Sequence, residues 1–386
     1  MTDKENDMEK AQIILEGRGT IQKLPELMDR LSVRRPLIVG RSQASRLCGL
    51  SDPLSSAPVF SSFHSNPDLT DAQDGADAFR QFSCDSLISV GGGSSIDTAK
   101  AIRVLLASEN IERIAASDLP EELPVPQIAI PGTAGSGSEA TQFAVVYWQG
   151  RKISLDHPSL RPEGVILDSG LLATLPDYHR KSCALDALSQ GIESYWCRKA
   201  TEESRVHAYL AILGVLDNLK AYLQHDSHAA DELLHASYQS GKAIQMTRTT
   251  AAHALSYALT KKYGIAHGHA CMMTLPCLWE LMLEREVIPE TLKTLSSLMR
   301  LGDPRLAPML IQGLFLSLSL PSVPRPDQQE ISDLASSVNI QRLNNHPMSL
   351  TQEELMSVYR KAFTPPAEPR RRLCLDLWNY YGEGKQ

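Results

Sequence analysis

Asp186, Gln190, His253 and His267 are of types that bind divalent metals, and their spacing could bring all four to one point. Asp186 and Gln190 stand four apart in RKSCALDALSQGIESYW, a stretch of helical periodicity, so both side chains leave the same helix face. His253 and His267 are fourteen apart in HALSYALTKKYGIAHGHA. On one straight helix their rings would be separated by roughly 21 Å, far beyond two bonds of about 2.1 Å to a shared ion. The chain must bend between them. Tyr263-Gly264 is the expected place, because glycine accepts the left-handed conformation that ends a helix, and a new helix can open near His267. Two neutral imidazoles and a carboxylate suit Zn2+ or Fe2+, whereas calcium and magnesium prefer oxygen ligands. The competing reading is that these histidines, among eleven in the chain, cap helices or fill the core.

Two glycine-rich turns suggest a nucleotide. In SLISVGGGSSIDTAKAIRVLLAS a buried strand meets Gly91, Gly92 and Gly93, and a helix opens at Ser94 or Ser95 with Asp97 in its first turn. Backbone N–H groups there can approach an anion, and the positive end of the helix favours a diphosphate. The spacing is not GxGxxG, and no carboxylate follows about twenty residues on, so the ordinary dinucleotide fingerprint is absent. In IAIPGTAGSGSEAT another apolar strand leads into a loop whose Thr133, Ser136 and Ser138 hydroxyls could meet a ribose or a nicotinamide amide. The strand RRPLIVGRS puts Gly40, Arg41 and Ser42 at its carboxyl end. Arg41 either accommodates a ribose 2'-phosphate or is a solvated loop residue. Each turn alone could be simple punctuation; two in one domain favour a nucleotide cleft.

The elements that must position these residues are legible in outline. Up to about Pro176, short runs (AQIILEG, PLIVG, PVFSSFH, SLISV, QIAI, FAVVYW, GVILD) alternate with helical stretches, the pattern of a mostly parallel sheet covered by helices. KISLDHPSLRP (152–162) reads as the crossing region, where Lys152 could touch cofactor or substrate, or cap a strand. After Pro176 strands disappear, and helical periodicity runs to about Phe363, broken by the proline-containing loop SLPSVPRPDQQ. The expected architecture is an α/β dinucleotide-binding domain over residues 1–176 and an all-α metal-binding domain over 177–386. A chain of 386 residues can bury a large core in two domains. Its net charge of -7 argues against nucleic acid as a partner. Seven cysteines without paired or CxxC spacing point to reduced thiols in a cytoplasm. The polar start MTDKENDMEK is unlike a signal peptide, and no long apolar run indicates a membrane.

Taken together, these stretches resemble the iron-containing (group III) alcohol dehydrogenase family, which shares its dehydroquinate synthase-like architecture with glycerol dehydrogenase. The matching motifs are GGGSSIDTAK, PGTAGSGSEAT, VILDSGLLATLP, ALDALSQGIES and HALSYALTKKYGIAHGHA, in family order; beyond Cys277 the likeness fades. The resemblance implies a nicotinamide cofactor with its diphosphate on Gly91, Gly92, Gly93 and Ser94 and its nicotinamide near Thr133, facing a metal on the second domain. The family's metal ligands are an Asp, a His four residues later and two further His. Their matches here are Asp186, Gln190, His253 and His267, so Gln190 departs from the pattern, and a neutral amide should weaken binding. Tyr257 stands where many members carry a further histidine, which makes Tyr257 or His269 the expected proton donor. Arg41 stands where many members have an aspartate, which implies NADPH in preference to NADH.

The spellings DALSQ, IESYW, TTAAHALSY and HGHA, with NIQRLNNHP, look most like the branch that reduces phosphonoacetaldehyde to 2-hydroxyethylphosphonate in phosphonate biosynthesis. A related branch acts on sugar phosphates. Either substrate is dianionic and needs cations, for which Arg248, Lys261, Lys262 and Arg342 lie in or near the matching segments. The expected reaction is metal-assisted hydride transfer to a small anionic aldehyde. Its rivals are a general alcohol dehydrogenase, a sugar-phosphate cyclase on the same fold and a non-catalytic nucleotide-binding relative. A homodimer is left open.

Overall fold

The computed structural model describes residues 11–42, 54–108, 110–120, 123 and 125–381, with the side chains of 341 and 342 outside that description. In chain order its elements begin with β1 (Ile13–Glu16), α1 (Leu24–Arg30), β2 (Pro36–Gly40), β3 (Val59–Phe60), α2 (Leu69–Gln81), β4 (Ser86–Gly91), α3 (Gly93–Ala107) and α4 (Ile111–Ala115). There follow β5 (Gln127–Pro131), β6 (Phe143–Trp148), β7 (Arg151–Asp156) and β8 (Gly164–Leu167). The rest is helical: α5 (Asp177–Trp196), α6 (Glu202–Leu223), α7 (Ser227–Thr247), α8 (Ala251–Tyr263), α9 (His267–Glu284), α10 (Pro289–Leu298), α11 (Leu306–Ser317), α12 (Gln328–Ser336), α13 (Ile340–Leu343), α14 (Gln352–Ala362) and α15 (Glu368–Asn379). None of the described helices is long and apolar enough to cross a membrane.

Among the described residues six parallel strands form one sheet in the order β1-β8-β5-β4-β2-β3. Its register sets Ile38 beside Ile88 and Ile88 beside Ile128. Alternate residues feed opposite faces. Leu37, Val39 and Leu87 join Phe79, Ile102 and Val104 on one side, while Ile38, Ile88, Val90, Ile128 and Ile130 join Leu24 and Leu27 on the other. Both faces are buried, which is why β2, β4 and β5 read as continuous apolar runs.

The segment read as a crossing, 152–162, is different in the structure. Its first part is β7, which pairs antiparallel with β6 from Phe143↔Asp156 to Trp148↔Arg151. Gln149 (φ 50°) and Gly150 (φ 72°) are both left-handed, the two-residue hairpin turn whose twist matches its strands. Gln-Gly is a rare spelling of that turn. The run PVFSSFH yields only the short β3, and α3 opens at Gly93, one residue before Ser94.

The chain divides into two compact units, Met1–Thr133 with Gly137–Leu175, and Pro176–Gln386 with Ala134–Ser136. All described strands lie in the first. In the second, the small segment 134–136 packs on α5, where a Cβ added to Gly135 would lie 2.8 Å from the Cys183 carbonyl oxygen.

Within the first unit, buried charge fixes the loop between β5 and β6. Lys100 donates to the carbonyl oxygens of Ser138 (2.7 Å), Thr141 (2.9 Å) and Phe143 (2.8 Å). Asp97 accepts from Ser138 Oγ (2.5 Å) and the Val145 N–H (2.9 Å). Burial pulls the Lys100 amine down to about 8, against the attraction of Asp97 and Glu139. Glu139, 1 % exposed, is pushed up to about 7 by the same burial. A carboxyl whose folded value is raised stabilises the fold fully below about 4.5, and that contribution is lost as pH rises through about 7. Glu139→Gln is therefore expected to gain stability relative to the native chain across that window, at a rate approaching about 1.4 kcal/mol per pH unit. Denaturant unfolding at both ends of the window measures it, and a pH-independent difference would contradict the assignment.

Candidate active site

On α5, Asp186, Gln190 and Glu193 follow one another at spacings of four and three, so they share one face, and all are buried. His253 lies in the first turn of α8, which ends where Gly264 turns left-handed (φ 67°); α9 then opens at His267. The bend between the two histidines is thus a helix break at the glycine. Gly268 lets α9 press onto α5, since a Cβ there would lie 2.0 Å from the Ser182 carbonyl oxygen and 2.8 Å from Asp186 Cβ.

This packing gathers four ligand atoms, from Asp186, His253, His267 and Cys271, within 4.8 Å of one another. His253 Nε2 is 3.4 Å from Asp186 Oδ1, and His267 Nε2 is 3.9 Å from Cys271 Sγ. Tetrahedral bonds of about 2.0–2.3 Å separate their donors by roughly 3.3–3.8 Å, so the His253–Asp186 pair already has the spacing for a shared ion and the wider pairs would draw in by up to about 1 Å.

The neighbours of the two imidazoles determine which nitrogen faces the group. Glu193, fully buried, accepts at Oε1 from the Thr250 N–H (3.1 Å), the Thr250 hydroxyl (2.5 Å) and the Ala252 N–H (2.9 Å), while Oε2 meets His253 Nδ1. Burial alone would raise this carboxyl, but the His253 ring and the hydrogen bonds from His253 and Thr250 outweigh it and hold it below its ordinary range. An ionised carboxylate only accepts, so Nδ1 carries the proton and Nε2 presents its lone pair. That Nε2 makes no hydrogen bond, although His253 is only 3 % exposed. Ser256 Oγ donates to the His253 carbonyl (2.8 Å), so it accepts from His267 Nδ1 at 3.0 Å, which leaves the lone pair of His267 on Nε2, the nitrogen that meets Cys271 Sγ. Burial opposes protonation of the His253 ring, yet Cys271 and Glu193 raise its proton affinity well above the ordinary value, so a metal at Nε2 would take the place of a proton there.

Gln190 spends its amide on structure, accepting from Ser240 Oγ (2.8 Å) and donating to the Ser136 carbonyl (3.3 Å). Tyr257 stacks on the His267 ring at 5.1 Å. His269 does not join the group: its Nδ1 is 3.2 Å from the Tyr178 hydroxyl, which accepts from the Ala266 N–H, and burial pushes the ring down to about 4. Arg248 caps its own helix through the Gln245 carbonyl (2.5 Å), and Lys262 pairs with Glu330 at 2.5 Å. Lys261 is exposed at the end of α8. Arg342 lies on α13 with its side chain outside the described residues. Of the four cations expected to bind an anion, Arg248 and Lys262 are thus each engaged with a partner of their own.

In the first unit the glycine turns adjoin. Gly91 adopts φ +139°, where a Cβ would also meet Ser95 Oγ at 2.5 Å, and its carbonyl accepts from the Gly132 N–H at 2.7 Å. Gly92 caps α3, Gly93 opens it, and Thr133 lies against Gly92. The Ser94 hydroxyl donates to the Ser65 carbonyl, while Asp97 is committed to Ser138 and Val145. Gly40 ends β2; Arg41 donates to the Phe63 carbonyl with its guanidinium 4.8 Å over the Phe63 ring, and Ser42 is exposed. Lys152, opposite Tyr147 on β7, acts through its charge on Asp97.

Models of two families match the chain: "Iron-containing alcohol dehydrogenase" over residues 11–169 and "Fe-containing alcohol dehydrogenase family, C-terminal" over 182–363. The chain belongs to the iron-containing alcohol dehydrogenase family. It is 34 % identical to a phosphonoacetaldehyde reductase of Streptomyces viridochromogenes over 67 % of either chain. It is 28 % identical to the NAD-dependent methanol dehydrogenase of Bacillus methanolicus, over 70 % of this chain and 74 % of that one. Among solved structures, sulfoacetaldehyde reductase from Bifidobacterium kashiwanohense in complex with NAD+ superposes with a TM-score of 0.84 at 25 % identity, covering 92 % of this chain and 98 % of that one. Fold and enzyme class are thus those of this family, with its dehydroquinate synthase-like architecture and oxidoreductase chemistry.

Sequence reasoning missed three members of this alcohol dehydrogenase's centre: Glu193, Ser256 and Cys271. A signal existed for two of them. Glu193 continues the helical face of Asp186, and Cys271 follows His267 at the same four-residue step that first drew attention to Asp186 and Gln190. Because Glu193 holds the His253 tautomer, Glu193→Gln is expected to weaken Zn2+ binding by about 10- to 100-fold. Calorimetric titration of the metal-free protein checks this, and an unchanged affinity would remove Glu193 from that role.

Proposed function

We propose that this protein reduces a small anionic aldehyde to its primary alcohol with a reduced nicotinamide nucleotide, phosphonoacetaldehyde being the preferred substrate. The observation that carries this reading is the convergence of Asp186, His253 and His267 with both Nε2 lone pairs directed into the group. When bound, the divalent metal supplies Lewis acidity to a carbonyl oxygen and the nicotinamide supplies the hydride.

The protein's own residues bind and orient. Asp186, His253 and His267 hold the ion, Glu193 and Ser256 keep the imidazoles in the ligating tautomer, and Tyr257 restrains the His267 ring by stacking on it. Tyr257 is the proposed proton donor through its hydroxyl, since the His269 ring is engaged with Tyr178. The N-terminus of α3 has no side-chain cap, so the N–H groups after Gly91 and Gly92 suit a diphosphate, with Thr133 beside them for the nicotinamide amide. Arg41 at the end of β2 supports NADPH over NADH, at the cost of its present contact with Phe63.

Two relatives support the substrate class. Their names specify acetaldehyde carrying a phosphonate in one case and a sulfonate in the other, both two-carbon aldehydes with a tetrahedral oxyanion. Phosphonate recognition by Arg248 or Lys262 requires each to leave its present partner.

The test follows nicotinamide absorbance with NADPH and NADH against phosphonoacetaldehyde and propanal. The expected kcat/KM is at least about 100-fold higher for phosphonoacetaldehyde, the size of one or two charge-assisted contacts. His267→Ala is expected to abolish turnover while leaving nucleotide binding measurable. Equal efficiency for both aldehydes would favour a general alcohol dehydrogenase, and turnover retained without His267 would discredit the metal role.

A further inference from the structure

The proposed metal-dependent reading, on which this inference rests, leaves one ligand unaccounted for. One turn beyond Asp186 on α5, where a fourth ligand is expected, stands Gln190, and its amide already bridges Ser240 and Ser136. The donor group nevertheless contains four side chains. The fourth is Cys271, fully buried and one turn after His267 on α9. Its sulfur is 3.9 Å from His267 Nε2 and within 4.8 Å of every other donor of the group. Into the same space points His253 Nε2, buried and without a hydrogen bond.

The geometry points to the Cys271 thiolate as the fourth metal ligand of this chain, taking the place given up at position 190 and tuning the centre toward zinc rather than iron. Cys277, six residues on, shows the contrast: its sulfur rests on the Met273 carbonyl of its own helix at 3.9 Å, as a packing cysteine does. The Cys271 sulfur instead meets an imidazole nitrogen. On metal binding the thiol proton leaves to solvent, and the sulfur lone pair forms the metal–sulfur bond.

Charge supports the same assignment. The Asp186 carboxylate and the Cys271 thiolate together neutralise a dication within its own ligand set, whereas an amide at the fourth position would leave the balance to the Glu193 carboxylate, which the N–H groups of α8 already engage. Softness adds to it, because thiolate favours Zn2+ while oxygen and imidazole ligands suit Fe2+ as well.

Metal-free protein titrated with Co2+ as a spectroscopic stand-in for zinc decides the matter. The native chain and Gln190→Ala are expected to develop a thiolate-to-cobalt charge-transfer absorption in the near ultraviolet that saturates with bound metal, and Cys271→Ser is expected to lack it. Zn2+ affinity should fall by at least about tenfold in Cys271→Ser and change little in Gln190→Ala. Cys271→Ala with far-ultraviolet circular dichroism separates lost ligation from lost folding. Stoichiometric Co2+ binding by the native chain without that absorption would overturn the inference while leaving the metal reading in place. Failure to bind Co2+ or Zn2+ at all would overturn both. Iron retained in preference to zinc when both are offered would overturn the zinc preference.

Discussion

Glu193 is a carboxylate with no exposure to water, and a buried charge of that kind costs several kcal/mol unless it is neutralised on all sides. Here it is neutralised by the N-terminus of α8, whose unpaired N–H groups and positive dipole end it caps, and by the His253 ring in the first turn of that helix. The consequence is geometric. Pinning the start of α8 to α5 fixes His253 against Asp186, which lies two turns earlier on the same α5 face. The link 247–250 that must deliver the helix to this point is tied at further places: Ser194 Oγ is 2.8 Å from Thr247 Oγ1, the Trp196 indole donates to Thr250 Oγ1 at 3.2 Å, and Asn345 donates to the Thr247 and Thr249 carbonyls at 2.6 and 3.2 Å. Within that clamp Arg248 holds φ 62° and ψ -179°, a conformation otherwise left to glycine. The strain is local and the contacts that enforce it are several, so α7 turns into α8 at one defined angle.

The same device serves the first unit. Lys100 and Asp97 are spent on the backbone of the loop that follows the second glycine turn, not on a ligand. Four backbone groups and the Ser138 hydroxyl are satisfied by two side chains from one helix, one turn apart. Because α3 also carries the first glycine turn at its start, the two turns are referred to a single rigid element. An anion-binding backbone works only if its N–H groups are already aimed, and the two buried charged side chains of the supporting helix hold the adjoining loop in place without occupying them.

How far the sequence could be read follows from the range of each interaction. The parallel sheet, the helical second half and the break at Gly264 depend on local periodicity and on one residue's backbone freedom, and they were legible. The hairpin of β6 and β7 was not, because Gln149 takes a left-handed conformation that its side chain does not advertise and that only strand pairing enforces. Asp186 with His253 and His267 could be anticipated from type and spacing. Cys271 could not be told from an ordinary core cysteine until Gly268 brought α9 within contact of Ser182 and Asp186. The cations assigned to substrate show how such side chains are held where no ligand is present. Arg248 and Lys262 are in plausible segments, yet one caps a helix and the other pairs across the surface, because a long charged side chain takes the nearest carbonyl or carboxylate available to it.

Position 190 and position 271 are best understood together. On α5 the glutamine amide offers a donor and an acceptor at once, and it uses them to join α5 to α7 through Ser240 and to segment 134–136 through Ser136. An imidazole turned toward a metal could not also make both bonds. Once that face of α5 is committed to holding three segments together, the ligand has to come from elsewhere, and the first turns of α9 are the backbone that Gly268 already brings against Asp186. A cysteine there is short enough to reach the group without displacing α9, and its small uncharged thiol is tolerated in a dry site before metal arrives, where an additional carboxylate beside Asp186 and Glu193 would add like-charge repulsion to the cost of burial.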